Sequence, residues 1–222
     1  MDRSLARNVI YGSLSLCYSF PDAEVYARIG EGKWLEQIKD SRAILTEKII
    51  ARLLQSFAEL LAQKGEQPRL AMAQEYTRLF INASPAVIAL PYCSVCLEKN
   101  GLAPGKAIAE MLRCYHEEAF PLTGDWTEHP DHIACAFAFM GLLAKKENKV
   151  SGRERIRLEE VQLQFLARFI LPWIELFCEK VMEQSRLTFY CLLGSLTREY
   201  IHFEQNYLGI PEESELQKEY QI

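Results

Sequence analysis

The apolar positions of this chain recur at intervals of three and four along almost its whole length, and alternation at every second residue is scarce. Such spacing marks α-helices that bury one stripe. Residues 4–19 set Leu5, Val9 and Leu16 on one side; Phe20-Pro21-Asp22 ends that helix, and Asp22 is placed to cap a short successor. Gly30 and Gly32 break the pattern. Residues 41–64 carry Ile44, Leu45, Ile49, Leu53, Leu54, Phe57, Leu60 and Leu61, a long helix stopped at Lys64-Gly65. Residues 69–80 predict another, with Met72, Tyr76, Leu79 and Phe80 inward. The segment 81–103 holds Pro85, Pro91, Gly101 and a short apolar patch from Ala86 to Leu90, and reads as an ordered loop packed on the body, with a short strand as the alternative. Pro104 suits the first turn of a helix through His116, with Ile108, Met111, Leu112 and Tyr115 inward.

A connector from Pro121 to Pro130 leads into a predicted helix 130–146, whose C-terminal end carries Lys145, Lys146 and Lys149, where cations suit the helix dipole. Residues 148–153 read as a polar turn. Residues 154–183 are periodic in Ile156, Leu158, Val161, Phe165, Phe169, Leu176 and Phe177, and Pro172 should kink or split them. Residues 185–203 form the last strong helix, followed by a polar, acidic tail from Pro211. The expectation is an all-α protein, one helical domain of about ten helices over residues 1–222, with any boundary between two lobes in the 117–130 connector.

Composition narrows the class. A chain of 222 residues, 49% hydrophobic and 25% charged, is globular and long enough for a substantial core. The formal net charge of -5, with no basic stripe, argues against a nucleic-acid partner. No run of about 18 apolar residues stands out, so an integral membrane protein is not expected. The first residues, with Asp2, Arg3 and Arg7 among apolar positions, do not form a secretory signal. Seven cysteines are present, and Cys17, Cys114, Cys135, Cys178 and Cys191 sit inside apolar segments; they read as buried free thiols of a cytoplasmic protein.

Candidate chemistry concentrates at Glu128-His129-Pro130-Asp131-His132, which runs into a long apolar stretch. With Pro130 at the first helical position, Asp131 and His132 fall in the first turn, near the free N–H groups. A plain helix cap from Thr127, Glu128 or Asp131 accounts for the pattern equally well. As a metal site it is poor, since His129 and His132 have no third ligand nearby in sequence. As a catalytic relay it is poor too, since neighbours on a helix point about 100° apart. Cys93 and Cys96 form a lone CxxC, weak support for zinc or a cluster, and no thioredoxin-like α/β pattern surrounds them. No phosphate-binding loop and no GxSxG elbow occur. No catalytic residue, metal ligand or cofactor is therefore assigned. Two alternatives stay open: a small helical metal-binding or redox protein using Cys93, Cys96, His129 and His132, and a structural subunit that stays in a mature complex. A third is recognition of another chain, since Trp126 beside Asp125, Glu128 and Asp131 would suit a peptide carrying arginines and an apolar run.

Four segments favour the third. Glu75-Tyr76-Thr77-Arg78-Leu79-Phe80, Leu90-Pro91-Tyr92-Cys93-Ser94-Val95, Glu128-His129-Pro130-Asp131-His132-Ile133, and Phe165 to Phe177 with Pro172-Trp173 together resemble the TorD/DmsD/NarJ family of cytoplasmic molybdoenzyme maturation chaperones. The resemblance spans residues 5 to about 205. It implies an all-helical, non-enzymatic protein that binds the twin-arginine signal peptide of a precursor, often with its folded body, until a molybdopterin cofactor is inserted. It carries Trp126, Asp131 and His132 onto the peptide site, with Tyr76, Phe80 and Tyr92 as neighbours; by charge, Asp125 and Glu128 read as further acidic contacts for the client's arginines. A monomer and a domain-swapped dimer both remain open. GTP binding has been proposed within the family, but no loop here supports it. The chain departs from the pattern at Ala134-Cys135-Ala136-Phe137, where a Glu is frequent, and at Phe169-Ile170-Leu171, where His-Leu is common.

Overall fold

A computed structural model describes residues 3–39, 47–63, 68–82, 86–99, 105–122 and 129–211. Eleven α-helices run through the described residues: α1 Arg3–Cys17, α2 Ala23–Gly30, α3 Lys33–Lys39, α4 Lys48–Ala62, α5 Arg69–Tyr76, α6 Cys93–Lys99, α7 Lys106–Glu117, α8 Ile133–Glu147, α9 Gly152–Phe165, α10 Leu171–Gln184 and α11 Thr188–Tyr207. Single π-helical turns, Thr77–Ile81 and Leu166–Ile170, follow α5 and precede α10. The expected all-α class holds.

The centre of the fold is α8. Its residues Ile133 to Phe137, Phe139 to Gly141, Leu143 and Ala144 are all buried, so the helix is covered on every side. A helix enclosed this way needs no polar stripe, and its sequence shows none until Lys145. Small residues let its neighbour α1 approach closely. A Cβ on Gly141 would stand 3.3 Å from Tyr11 Cβ, and Asn8 donates to the Gly141 carbonyl at 2.8 Å. Around this pair, α10 packs on α11, α11 on α4, and α9 on α8. One cluster of buried residues extends from Ala6 to Ile201.

Several boundaries fall where the sequence puts them. Asp22 caps α2 by accepting from Val25 N–H at 2.8 Å. Gly32 adopts φ +64, a left-handed turn between α2 and α3 that a Cβ would strain. Pro172 lies in the first turn of α10, just after the π turn that splits the long periodic stretch. The continuous helical stretch Gly152–Gln184 has the length and apolar content of a membrane span, yet half of its most apolar window is buried inside the protein. Its Phe165, Leu166, Phe169, Ile170 and Ile174 are core residues, which accounts for the composition.

Other expectations fail for identifiable reasons. The loop expected over 81–103 contains α6, a two-turn helix too short for a clear period. The helix expected from Pro130 starts at Ile133, because His132 is the N-cap in extended conformation, and Asp131 precedes the helix altogether. On α1 the buried face is Ala6, Arg7, Ile10, Tyr11, Leu14 and Cys17, whereas Leu5, Val9 and Leu16 are only partly buried. Ile49, Leu112, Ile156 and Leu176, all expected inward, are exposed. Cys114 and Cys191 are partly buried, while Cys17, Cys135 and Cys178 are buried as expected, and all seven cysteines are free.

Candidate functional site

Asp131 and His132 lie where two extended pieces of chain meet. Tyr92 and His132 form an isolated antiparallel bridge. Ile133 N–H donates to the Pro91 carbonyl at 2.8 Å, and Cys93 N–H donates to the Asp131 carbonyl at 3.0 Å. The residues before α6 are thereby stitched to the residues before α8. Pro91 suits this position because it has no N–H to satisfy, while its carbonyl remains free to accept.

Side chains reinforce the stitch. Asp131 is 1% exposed. Its Oδ2 accepts from Ser94 N–H at 3.2 Å and from the Ser94 hydroxyl, and its Oδ1 accepts from His129 Nδ1. Asp131 thus caps the first turn of α6 from across the bridge, a role for which sequence distance left no signal. The His129 side chain is 55% exposed, so among the described residues a surface side chain covers Oδ1 of this buried carboxylate.

His132, also 1% exposed, has both ring nitrogens engaged. Nδ1 accepts from Ala134 N–H at 3.1 Å, which places the proton on Nε2. Nε2 faces the Tyr76 hydroxyl at 3.4 Å, and that hydroxyl donates to the Tyr18 carbonyl at 3.0 Å. Burial lowers the His132 pKa to about 4, against the opposing charge of Asp131, so the ring is neutral near pH 7. The Tyr92 ring meets the imidazole edge to face at 5.3 Å and is itself partly exposed.

Tyr76 and Phe80 are core residues, 2% and 1% exposed. Their rings contact each other at 4.9 Å, and Phe80 stacks on Phe177 at 6.0 Å. Phe20, partly open to solvent, covers Tyr76 at 5.5 Å. Of the expected peptide-site residues, the structure therefore gathers Tyr76, Phe80, Tyr92, Asp131 and His132 into one connected group, with Tyr92 the member nearest solvent. Asp125, Trp126 and Glu128 lie outside the described residues, as does most of the 117–130 connector's centre.

The metal-binding alternative finds no ligand set: among the described residues no group of three His, Cys, Asp or Glu side chains could hold an ion. Cys93 is buried and its thiol donates to the Phe169 carbonyl at 3.0 Å. Burial, with the Asp131 charge, pushes that thiol's pKa far up, which suits a packed hydrogen-bond donor and not a reactive thiolate.

The polar group the sequence hid best lies in the core. Arg7, wholly buried, donates from Nε and Nη2 to the two oxygens of Glu204 at 2.7 Å each, and from Nη1 to Glu147 at 2.7 Å. Gln162 bridges Arg7 and Glu147, at 2.7 and 3.0 Å. Ser4, Arg155 and Tyr207 complete the shell of Glu147; Tyr11 and Tyr200 complete that of Glu204. Helices α1, α8, α9 and α11 are joined at this point. The sequence signals only Arg7, a charge among the apolar residues of the first helix; Glu147 and Glu204 stand in polar stretches and give no sign of burial.

Comparison with known proteins gives a consistent setting. A family model described as the nitrate reductase delta subunit matches residues 47–179. The chain is 25% identical over 174 residues to the chaperone protein TorD of Aliivibrio fischeri, covering 78% of this chain and 76% of that one. It is 23% identical over 216 residues to the perchlorate reductase assembly chaperone protein of Dechloromonas aromatica, covering 92% of each. A crystal structure of an Archaeoglobus fulgidus protein ascribed to redox enzyme maturation superposes with TM-score 0.54 at 22% identity, over 91% of this chain and 95% of that one. At that identity the likeness concerns the fold.

Proposed function

The chain belongs to the TorD/DmsD/NarJ family, matching the nitrate reductase delta subunit model over more than half of its length, and we propose that it is a maturation chaperone for a molybdopterin-containing oxidoreductase. The observation that carries this reading is the alignment with an assembly chaperone over 92% of both chains. The relatives are chaperones and maturation proteins by name, which favours a binding protein over an enzyme. On this reading the molybdopterin group is the client's own, and the chaperone holds the cytoplasmic precursor until that group is in place.

The proposed contact is the client's twin-arginine leader, met around Tyr92 and His129. Asp131 is a deep carboxylate screened by a displaceable ring. An arriving guanidinium can take the place of His129 at Oδ1, exchanging an imidazole donor for a permanently charged one. His132, Tyr76 and Phe80 act from beneath, fixing Tyr92 and the bridge. Asp125, Trp126 and Glu128, in the adjoining connector, supply the outer contacts.

Calorimetric titration with a twin-arginine leader peptide tests this placement. Asp131→Asn is expected to weaken binding at least about tenfold, as is replacing both client arginines by lysine, whereas His129→Ala should strengthen it by opening the carboxylate. Unchanged affinity in Asp131→Asn would sink the assignment. A subunit retained in the mature oxidoreductase, favoured by the word "subunit" in the family description, would instead co-purify with the active enzyme at fixed stoichiometry.

A further inference from the structure

The pair Cys93 and Cys96 stands directly beside Asp131. Both thiols belong to α6, one turn apart and on one face. Cys93 is 1% exposed and spends its thiol on the Phe169 carbonyl, which also accepts from the Trp173 indole N–H at 2.6 Å. Cys96 is only partly buried and forms part of the wall of an open groove of about 260 Å³ between residues 87–90 and α10, which gives dissolved molecules a path to it. Burial, the Asp131 charge and then Cys96 each hold the Cys93 thiol protonated, so the two sulfurs are close enough to sense one another.

What lies between the cysteines couples them to the site. Ser94 gives Asp131 Oδ2 both its N–H, at 3.2 Å, and its hydroxyl, and Cys93 N–H donates to the Asp131 carbonyl at 3.0 Å. A bond between the two sulfurs closes a ring that contains Ser94. Side chains three apart on a helix hold their Cβ atoms about 5–6 Å apart, whereas a disulfide needs about 3.5–4.5 Å. The first turn of α6 therefore has to tighten to close the bridge, and Ser94 moves with it. The Cys93 sulfur also has to leave the Phe169 carbonyl, which keeps the Trp173 N–H as its donor. The change is thereby confined to α6 and Asp131. A bridge strained in this way is easily reduced again, which suits a reversible modification and not a permanent staple.

We propose that Cys93 and Cys96 are a redox-modification site whose oxidant is a low-molecular-weight disulfide such as glutathione disulfide, and that their bridge draws Ser94 off Asp131 and weakens the hold on the client. The last part rests on the reading that the client's leader is met at Asp131. Cys96, as the thiolate, attacks one sulfur of the oxidant and releases the other half as a thiolate. Cys93 then passes its proton to that thiolate and attacks the Cys96 sulfur, expelling the second half, which takes up the proton that Cys96 lost. Two protein thiols become one disulfide and one dissolved disulfide becomes two thiols, so protons and electrons balance. Cys96 acts first because it is the partner open to solvent; Cys93, packed and protonated, reacts only once the mixed disulfide is held one turn away. With Ser94 withdrawn, nothing fixes Oδ2, and an arriving guanidinium meets a carboxylate no longer held in place for it.

The test equilibrates the full chain with reduced and oxidised glutathione at graded ratios, followed by alkylation, digestion and mass spectrometry. The peptide carrying both cysteines is expected to lose two hydrogens and to resist alkylation, and dithiothreitol should restore it. In the bridged protein, amide exchange at Cys93 and Ser94 should quicken by about tenfold or more, since both N–H groups lose Asp131 as acceptor. A twin-arginine leader peptide should bind the bridged chain about tenfold more weakly than the reduced one. Cys93→Ser, which keeps a donor for the Phe169 carbonyl, should trap glutathione on Cys96. Cys96→Ser should take up none at Cys93 and should keep its leader affinity in oxidised buffer. No bridge at any ratio, a bridge to another cysteine, or glutathione on Cys93 in Cys96→Ser would each overturn the proposal. Unchanged amide exchange or unchanged leader affinity in the bridged protein would overturn it too. A reduced chain that does not bind the leader removes the arginine placement alone, and the bridge with its exchange signature still decides the modification site.

Discussion

Replacing Arg7 by Met tests the buried polar network directly. Arg7 and its partners Glu147 and Glu204 are without solvent contact. Methionine fills most of the arginine stem but supplies neither charge nor donors, so Glu204 loses two hydrogen bonds of 2.7 Å and Glu147 loses one. Removing one partner from a buried ion pair costs about 3–5 kcal/mol, because the remaining charge stays desolvated. Against a total stability of about 5–15 kcal/mol, that is a severe loss. With m near 2.5 kcal/mol/M for a chain of this size, the urea midpoint should fall by about 1–2 M. The loss should also depend on pH. Burial alone would push the Glu147 carboxyl up, but hydrogen bonds from Ser4 and Gln162 and the charge of Arg7 hold it below the usual carboxylate range. That depression contributes stability above the unfolded pKa, about 4.3, which is lost as pH falls through the lower folded value. Without Arg7 the burial remains and a main opposing charge is gone. The folded carboxyl then binds protons more readily, so the difference between wild type and variant should shrink from pH 7 to pH 5. Adding Glu204→Gln should recover part of the loss. A midpoint shift under about 0.4 M, or a difference that grows on acidification, would refute the reasoning.

Two further outcomes follow from the geometry. The His132 pKa of about 4 lies below the unfolded value near 6.5, so the neutral ring's contribution is complete above pH 6.5 and is lost between pH 6.5 and 4, about 3 kcal/mol in all. His132→Asn keeps a capping acceptor and should flatten urea-derived stability over that window; an unaltered profile would contradict the burial argument. Gly194→Ala would set a Cβ 3.0 Å from Met182 Cγ and 3.2 Å from the Cys178 carbonyl, forcing α10 and α11 apart. A cost of about 1–3 kcal/mol is expected, visible as a Tm several degrees lower, and an unchanged Tm would show that this interface yields freely.

Local pattern was enough for the all-α class and most helix positions, because a stripe repeating every 3.6 residues records a helix against a core wherever that core lies. It also supplied the Asp22 cap and the break at Pro172, since both act within a turn of their own position. The grouping of Asp131 and His132 with Tyr76, Phe80 and Tyr92 came from a family resemblance, and the fold brings these five together across the bridge and the core. Which of them are buried was beyond the linear chain. Asp131 looks like a first-turn residue until the strand-like pairing with residues 91–93 turns its carboxylate onto Ser94. The rotation of the α1 face was equally hidden, because an arginine belongs inside only when two carboxylates from α8 and α11 arrive to meet it. Periodicity reports how apolar a face is; whether that face meets the core, solvent or a compensating charge depends on partners more than a hundred residues away, and only the folded chain brings them together.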